Sequence, residues 1–88
     1  MQPVDINVNT FKSLVTQLRP DATGNKPFGR DTRFVADLGL GSLELIGLVF
    51  LCEESYQVDL TSHAEMVATL QTVGETLDAI AELRRQAI

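Results

Sequence analysis

The chain has 88 residues, 44% of them apolar, and its twelve Asp and Glu outnumber seven Lys and Arg, giving a net charge of −5. A fold of this size hides roughly 63% of the surface its unfolded chain exposes, enough for one small core but not for a deep enclosed pocket, which argues against a self-contained enzyme. No apolar run approaches the roughly 20 residues of a membrane span and no basic-then-apolar leader follows Met1, so a soluble, free-standing cytoplasmic protein is expected.

Val8, Phe11, Leu14, Val15 and Leu18 share one helical face, and Pro20 with Asp21 ends the run, so a first helix is predicted to begin near Asp5 to Asn9. From Arg19 to Asp37 turn formers dominate, with Phe28, Phe34 and Val35 as the apolar anchors of a long connection. A second helix is predicted from Ser42 to Tyr56. Leu45, Leu48, Val49, Cys52 and Tyr56 form its core stripe and are expected to be buried. Leu43, Ile46 and Phe50 make a second apolar strip on the other side, among Glu53, Glu54 and Gly47, which suggests a surface that meets another protein.

Ser62 and Glu65 have capping-box spacing, predicting a short third helix to about Ala68 or Leu70 with Met66 and Val67 available to the core. Thr72 and Glu75 repeat that spacing ahead of a fourth helix carrying Val73, Leu77, Ile80, Ala81 and Arg84 on successive turns. Nothing reads as a strand. The expected fold is one all-α domain over residues 1–88, a four-helix bundle with three main helices, a short third helix and a long loop between the first two.

Charge is unevenly spread: residues 37–82 hold nine acids (Asp37, Glu44, Glu53, Glu54, Asp59, Glu65, Glu75, Asp78, Glu82) and no Lys or Arg. Such a field repels nucleic acid and anionic lipid and steers the chain toward proteins with basic patches. No nucleic-acid or membrane partner is expected, and the chain is expected to be a monomer.

Ser42 is the one nucleophilic side chain with arranged surroundings. Gly39 and Gly41 keep bulk away from it, and a helix N-terminus favours a phosphate on its oxygen, although a serine there is more often a plain helix cap. A Ser-His-Asp hydrolase would need His63 beside Ser42, and a lone His at the start of a short helix is more often a solvated surface residue. Cys52, the single cysteine, falls on the core stripe and reads as a buried small hydrophobe. Adjacent Glu53 and Glu54 point in different directions on a helix, so no metal site is expected.

The stretch from Phe34 to Tyr56, FVADLGLGSLELIGLVFLCEESY, resembles the attachment region of acyl carrier proteins, whose pattern D-L-G-x-D-S-L is followed by an apolar helix, paired glutamates and an aromatic. The resemblance covers about residues 6–82, strongly in the middle and weakly over 19–33. It implies that Ser42 bears 4′-phosphopantetheine, moved from coenzyme A by a phosphopantetheinyl transferase, whose terminal thiol holds an acyl group as a thioester. It also implies a carrier that catalyses nothing itself. Leu43, Glu44, Ile46, Gly47, Phe50, Glu53 and Glu54 are then the expected partner-binding residues, facing an acyltransferase, a ketosynthase or other synthase enzymes with basic docking patches.

Two positions depart from the family pattern. Gly41 stands where Asp commonly precedes the serine, and Gly47 stands where an acid is usual, either to let a partner's backbone approach or through drift. Both lean toward polyketide assembly or another specialised pathway rather than housekeeping fatty-acid synthesis. The competing readings are an unmodified helical interaction module and an aminoacyl or peptidyl carrier.

Overall fold

The computed structural model describes residues 4–24 and 27–86. Asn7 opens the first helix, α1 (Val8–Leu18), by accepting from Thr10 N–H at 2.9 Å, while the Thr10 hydroxyl accepts from Asn7 N–H at 3.4 Å. Phe11, Leu14 and Val15 are buried on its inner face. The chain then passes through a single 3₁₀ turn (Pro20–Ala22) and a long connection to α2 (Ser42–Tyr56). A 3₁₀ turn (Thr61–His63) leads into the one-turn α3 (Ala64–Val67), and α4 (Val73–Gln86) closes the chain. The described residues form no strand; Arg33 and Thr72 make an isolated antiparallel bridge. The all-helical expectation holds, with α1 packed against both α2 and α4.

The long connection follows from hydrogen-bond accounting at α4. A helix's first N–H groups have no partner within the helix. Here Val73 N–H donates to Thr32 O at 3.0 Å and Gly74 N–H to Arg30 O at 2.8 Å, and Phe34 N–H returns a bond to Gln71 O at 3.0 Å. The Thr72–Glu75 capping box read from the sequence is present: Glu75 N–H donates to Thr72 Oγ1 at 3.2 Å and Glu75 Oε1 accepts from Thr72 N–H at 3.1 Å. The Arg30 guanidinium then reaches Asp78 at 2.7 Å. Gly74 allows this close approach, because a Cβ there would lie 3.0 Å from both Arg30 Cβ and Arg30 O.

Between residues 33 and 39 the connection coils almost helically, with Asp37 N–H bonded to Arg33 O and Gly39 N–H to Val35 O. Phe34 and Leu38, four residues apart, therefore point inward and are buried, and the Phe34 ring packs 5.9 Å from that of Phe11. Val35 takes the opposite side and is 64% exposed, so it is not the anchor the composition suggested. Phe28 is half-buried against the core.

Two other expectations need correcting. Leu45 and Val49 are half-buried, not buried like Leu48, Cys52 and Tyr56, because α3 is one turn long and cannot cover that edge of α2. The turn before α3 is not organised by Ser62 and Glu65. Asp59 accepts from Ser62 N–H at 3.1 Å and from its hydroxyl at 2.7 Å, which leaves Glu65 outside the cap.

Helix propensity alone favours Ala over Gly by about 1 kcal/mol. Gly74→Ala is nonetheless expected to destabilise the protein by about 1–3 kcal/mol, since the methyl meets backbone on the Arg30 side. A shift of the urea midpoint measures it, and a stabilised variant would contradict the packing account.

Candidate functional site

Ser42 is the first residue of α2 and is exposed, with Gly41 in the cap position at φ −90° and ψ 177°. Glu44 Oε1 accepts from Gly41 N–H at 3.0 Å, so the carboxylate of the first turn closes this helix end. The Ser42 hydroxyl has no hydrogen-bond partner among the described residues, and the plain-cap reading therefore fails for it. Gly39 sits at φ +68°, the left-handed region that favours glycine. Gly41 is under no such constraint: a Cβ there would come no nearer than 3.9 Å to Glu44 Oε1, so backbone geometry does not explain the absence of Asp.

On the outer face of α2, Leu43 is 84% exposed, Ile46 52% and Phe50 58%, which matches the second apolar strip. Glu54 is exposed beside them, with no hydrogen bond or ion pair to a described residue. The other acidic positions differ. Glu44 is bound to Gly41 and lies 3.4 Å from Arg19 Nη1. Glu53 Oε2 accepts from Leu60 N–H and Thr61 N–H, both at 2.9 Å, and from the Thr61 hydroxyl at 2.8 Å. These bonds, with the Thr61 pair dominant, hold its carboxyl below the ordinary value of 4.5. Glu53 thus fastens the turn before α3 to α2. Gly47 also looks inward: a Cβ would meet Leu18 Cδ1 at 3.0 Å, so its small size serves the α1–α2 contact.

A cavity of about 250 Å³ opens between α2, α3 and the connection, walled by Phe34, Leu45, Leu48, Val49, Cys52 and Val67 with Thr76 as its polar member. Size arithmetic gave no expectation of such a space. It exists because one turn of α3 roofs it only in part. Burial pushes the Cys52 thiol up to about 12, with the Glu53 charge adding to the effect, so Cys52 is an apolar wall and not a nucleophile at neutral pH. His63 is exposed, its Nδ1 3.0 Å from Asp59 O and with no bond to Ser42, which removes the hydrolase arrangement. The cavity, the Glu44–Arg19 contact and the Gly47–Leu18 contact depend on residues distant in sequence, and the Glu53 tie spans more than a helical turn, so periodicity carries no signal for them; the Glu44–Gly41 bond is local and has capping spacing.

No family model matches the chain, and no solved structure matches it. Three acyl carrier proteins do. That of Helicobacter hepaticus is 32% identical over 77 residues, covering 82% of this chain and 97% of its own length. That of Picosynechococcus sp. is 33% identical over 69 residues, covering 78% and 79%. The mitochondrial acyl carrier protein of Saccharomyces cerevisiae is 39% identical over 57 residues, 65% of this chain and 44% of the yeast protein. The chain belongs to the acyl carrier protein family. Its members are carriers and not catalysts, bear a covalent 4′-phosphopantetheine group, and interact with transferase and synthase enzymes in general.

The Glu53 ties carry a pH dependence. A carboxyl held low in the folded state contributes stability that is complete above the unfolded value and is lost as pH falls through the folded one. Wild type is expected to lose urea resistance from about pH 4.5 downward more steeply than Glu53→Gln, although Asp59, held low by the Ser62 hydroxyl and N–H, and Glu75, held low by the Gln71 and Thr72 N–H groups, titrate in both. Parallel profiles of urea midpoint against pH would show that Glu53 is not tying the turn.

Proposed function

We propose that this protein is an acyl carrier whose 4′-phosphopantetheine arm is attached to Ser42 and whose cargo is an apolar acyl chain. The observation that carries the attachment is the hydroxyl itself: exposed, without a hydrogen bond to any described residue, on the first residue of a 15-residue helix, and preceded by Gly39 and Gly41. The surroundings fit the group. Unpaired first-turn N–H groups and the positive end of the helix dipole favour a phosphodiester at that oxygen.

In the loading step Ser42 Oγ forms the new bond to the phosphorus next to the pantetheine of coenzyme A. The pyrophosphate link breaks, and adenosine 3′,5′-bisphosphate leaves with the electron pair. The hydroxyl proton must pass to a base of the transferase, since Ser42 has no basic partner among the described residues. When bound, the arm supplies a thiol for thioester linkage of the cargo.

The cavity supports the choice of cargo. The recess of about 250 Å³ is lined almost wholly by apolar side chains, Leu45 and Ile46 among them one turn after Ser42, and it opens to solvent, so a hydrocarbon chain can reach it and lose apolar surface to its walls. A saturated chain fits such walls better than one rich in ketones, whose oxygens would find only Thr76 among the lining polar groups. Gly41 is the residue that favours a specialised pathway, because Gly47 has its own reason in the packing of Leu18. Cytoplasmic location belongs to the same reading. Docking falls to Leu43, Ile46, Phe50 and Glu54, with transferase and synthase surfaces of basic rim and apolar centre as the partners.

Two experiments test this reading. Intact-mass measurement after incubation with coenzyme A and a promiscuous phosphopantetheinyl transferase should show a gain matching the arm, and Ser42→Ala should show none; equal gain in both excludes Ser42. For docking, Leu43→Ser with Glu54→Gln should lower kcat/KM for acyl loading by about tenfold at an unchanged urea midpoint. Unchanged kinetics would place the partner elsewhere.

A further inference from the structure

Arg19 lies just past the end of α1, yet its side chain crosses to the segment that introduces α2. Its Nη1 donates to Gly39 O at 2.7 Å and approaches Glu44 Oε1 at 3.4 Å. That same Glu44 oxygen accepts from Gly41 N–H at 3.0 Å. Asp21 steadies the guanidinium from the other side, 3.6 Å from Nε. One cation and one carboxylate thus tie three points that bracket Ser42: Gly39 and Gly41 before it and Glu44 after it.

Those two glycines give the segment freedom that any other pair would restrict. Leu38 and Leu40 are buried and hold the neighbouring residues, but no apolar side chain fixes Gly39 or Gly41. The Arg19 and Glu44 side chains are 37% and 33% exposed, and an ion pair so wet adds little to global stability. Its effect is local order. A substrate segment already held in one conformation has no ordering cost when an enzyme binds it.

We propose that Arg19 is a positioning residue for the modification of Ser42, holding the 39–44 segment in the conformation that the transferase accepts. The proposal rests on Ser42 as the attachment site. It gives a role to a cation outside the acidic stretch, and it withdraws Glu44 from the docking surface, since its charge is already engaged.

The test uses the full chain with coenzyme A and a promiscuous phosphopantetheinyl transferase, following intact mass at varied carrier concentration. Arg19→Ala is expected to raise the carrier's KM about tenfold while changing kcat less than about twofold. Amide exchange at Gly41 should speed up in the same variant, with the urea midpoint near wild type. Arg19→Lys, which keeps the charge but can reach only one acceptor at a time, should fall between the two in both measurements.

Wild-type KM in Arg19→Ala would overturn the proposal, as would loss of loading that tracks a lowered urea midpoint with no recovery in Arg19→Lys. If Arg19→Ala does not fold, Arg19→Lys decides: a KM equal to wild type with faster Gly41 exchange rejects the positioning role, and a raised KM supports it. A wild-type chain that never gains the arm would overturn the attachment reading itself, whereas a wild-type chain that loads normally beside an indifferent Arg19→Ala overturns this inference alone.

Discussion

Two N–H groups at the start of α4 need acceptors, and the carbonyls of Arg30 and Thr32 supply them. That exchange turns a long run of turn formers into a packed element. Once residues 30–34 are pinned to α4, Phe34 reaches Phe11 of α1, Leu38 and Leu40 enter the core, and the chain must arrive at Ser42 from one direction. Gly74 is the condition for the approach. The strap then satisfies α4 and presents α2, so the position of the exposed hydroxyl depends on a contact at the far end of the sequence.

Acidic charge in this protein serves two purposes. Glu44, Glu53, Asp59 and Glu75 each accept from backbone N–H groups at a helix or turn start, where a carboxylate is stabilised by both the bonds and the dipole. Glu54 and Glu65 have no such bonds to described residues and face solvent. A uniform acidic face therefore resolves into structural carboxylates and a smaller set that faces solvent unbonded to any described residue. Neutralising the structural set would act first on the fold, so a docking experiment is cleanest with Glu54.

The brevity of α3 has a comparable reach. A single helical turn leaves Leu45 and Val49 half-covered and the space beside Cys52 unfilled. Close packing would normally remove such a void, because its lining forfeits dispersion contacts. Here the space stays open because the single turn of α3 cannot close over the edge of α2. Thr76 aside, the named walls offer nothing to a polar occupant.

Local pattern was sufficient for the longer helices, though not for α3, whose cap and extent differ from the reading: α2 runs from Ser42 to Tyr56 as read, the Thr72–Glu75 box opens α4, and Leu43, Ile46 and Phe50 lie exposed opposite Leu48, Cys52 and Tyr56. Each of those features is a relation between residues at most about four positions apart, which hydrophobic spacing and capping chemistry encode directly. The family likeness was legible for the same reason, as a contiguous motif. Spacing held no information on Val35 turning outward, Gly47 yielding to Leu18, Glu53 fastening the 60–61 turn, or Arg19 reaching Gly39 and Glu44. These are choices among distant partners, made only when helices pack and every buried N–H must find an acceptor. Local pattern decided which segments would be helical and which serine would stand at a helix tip; tertiary contact decided which charges are spent inside, where the cavity opens, and how firmly that serine is held.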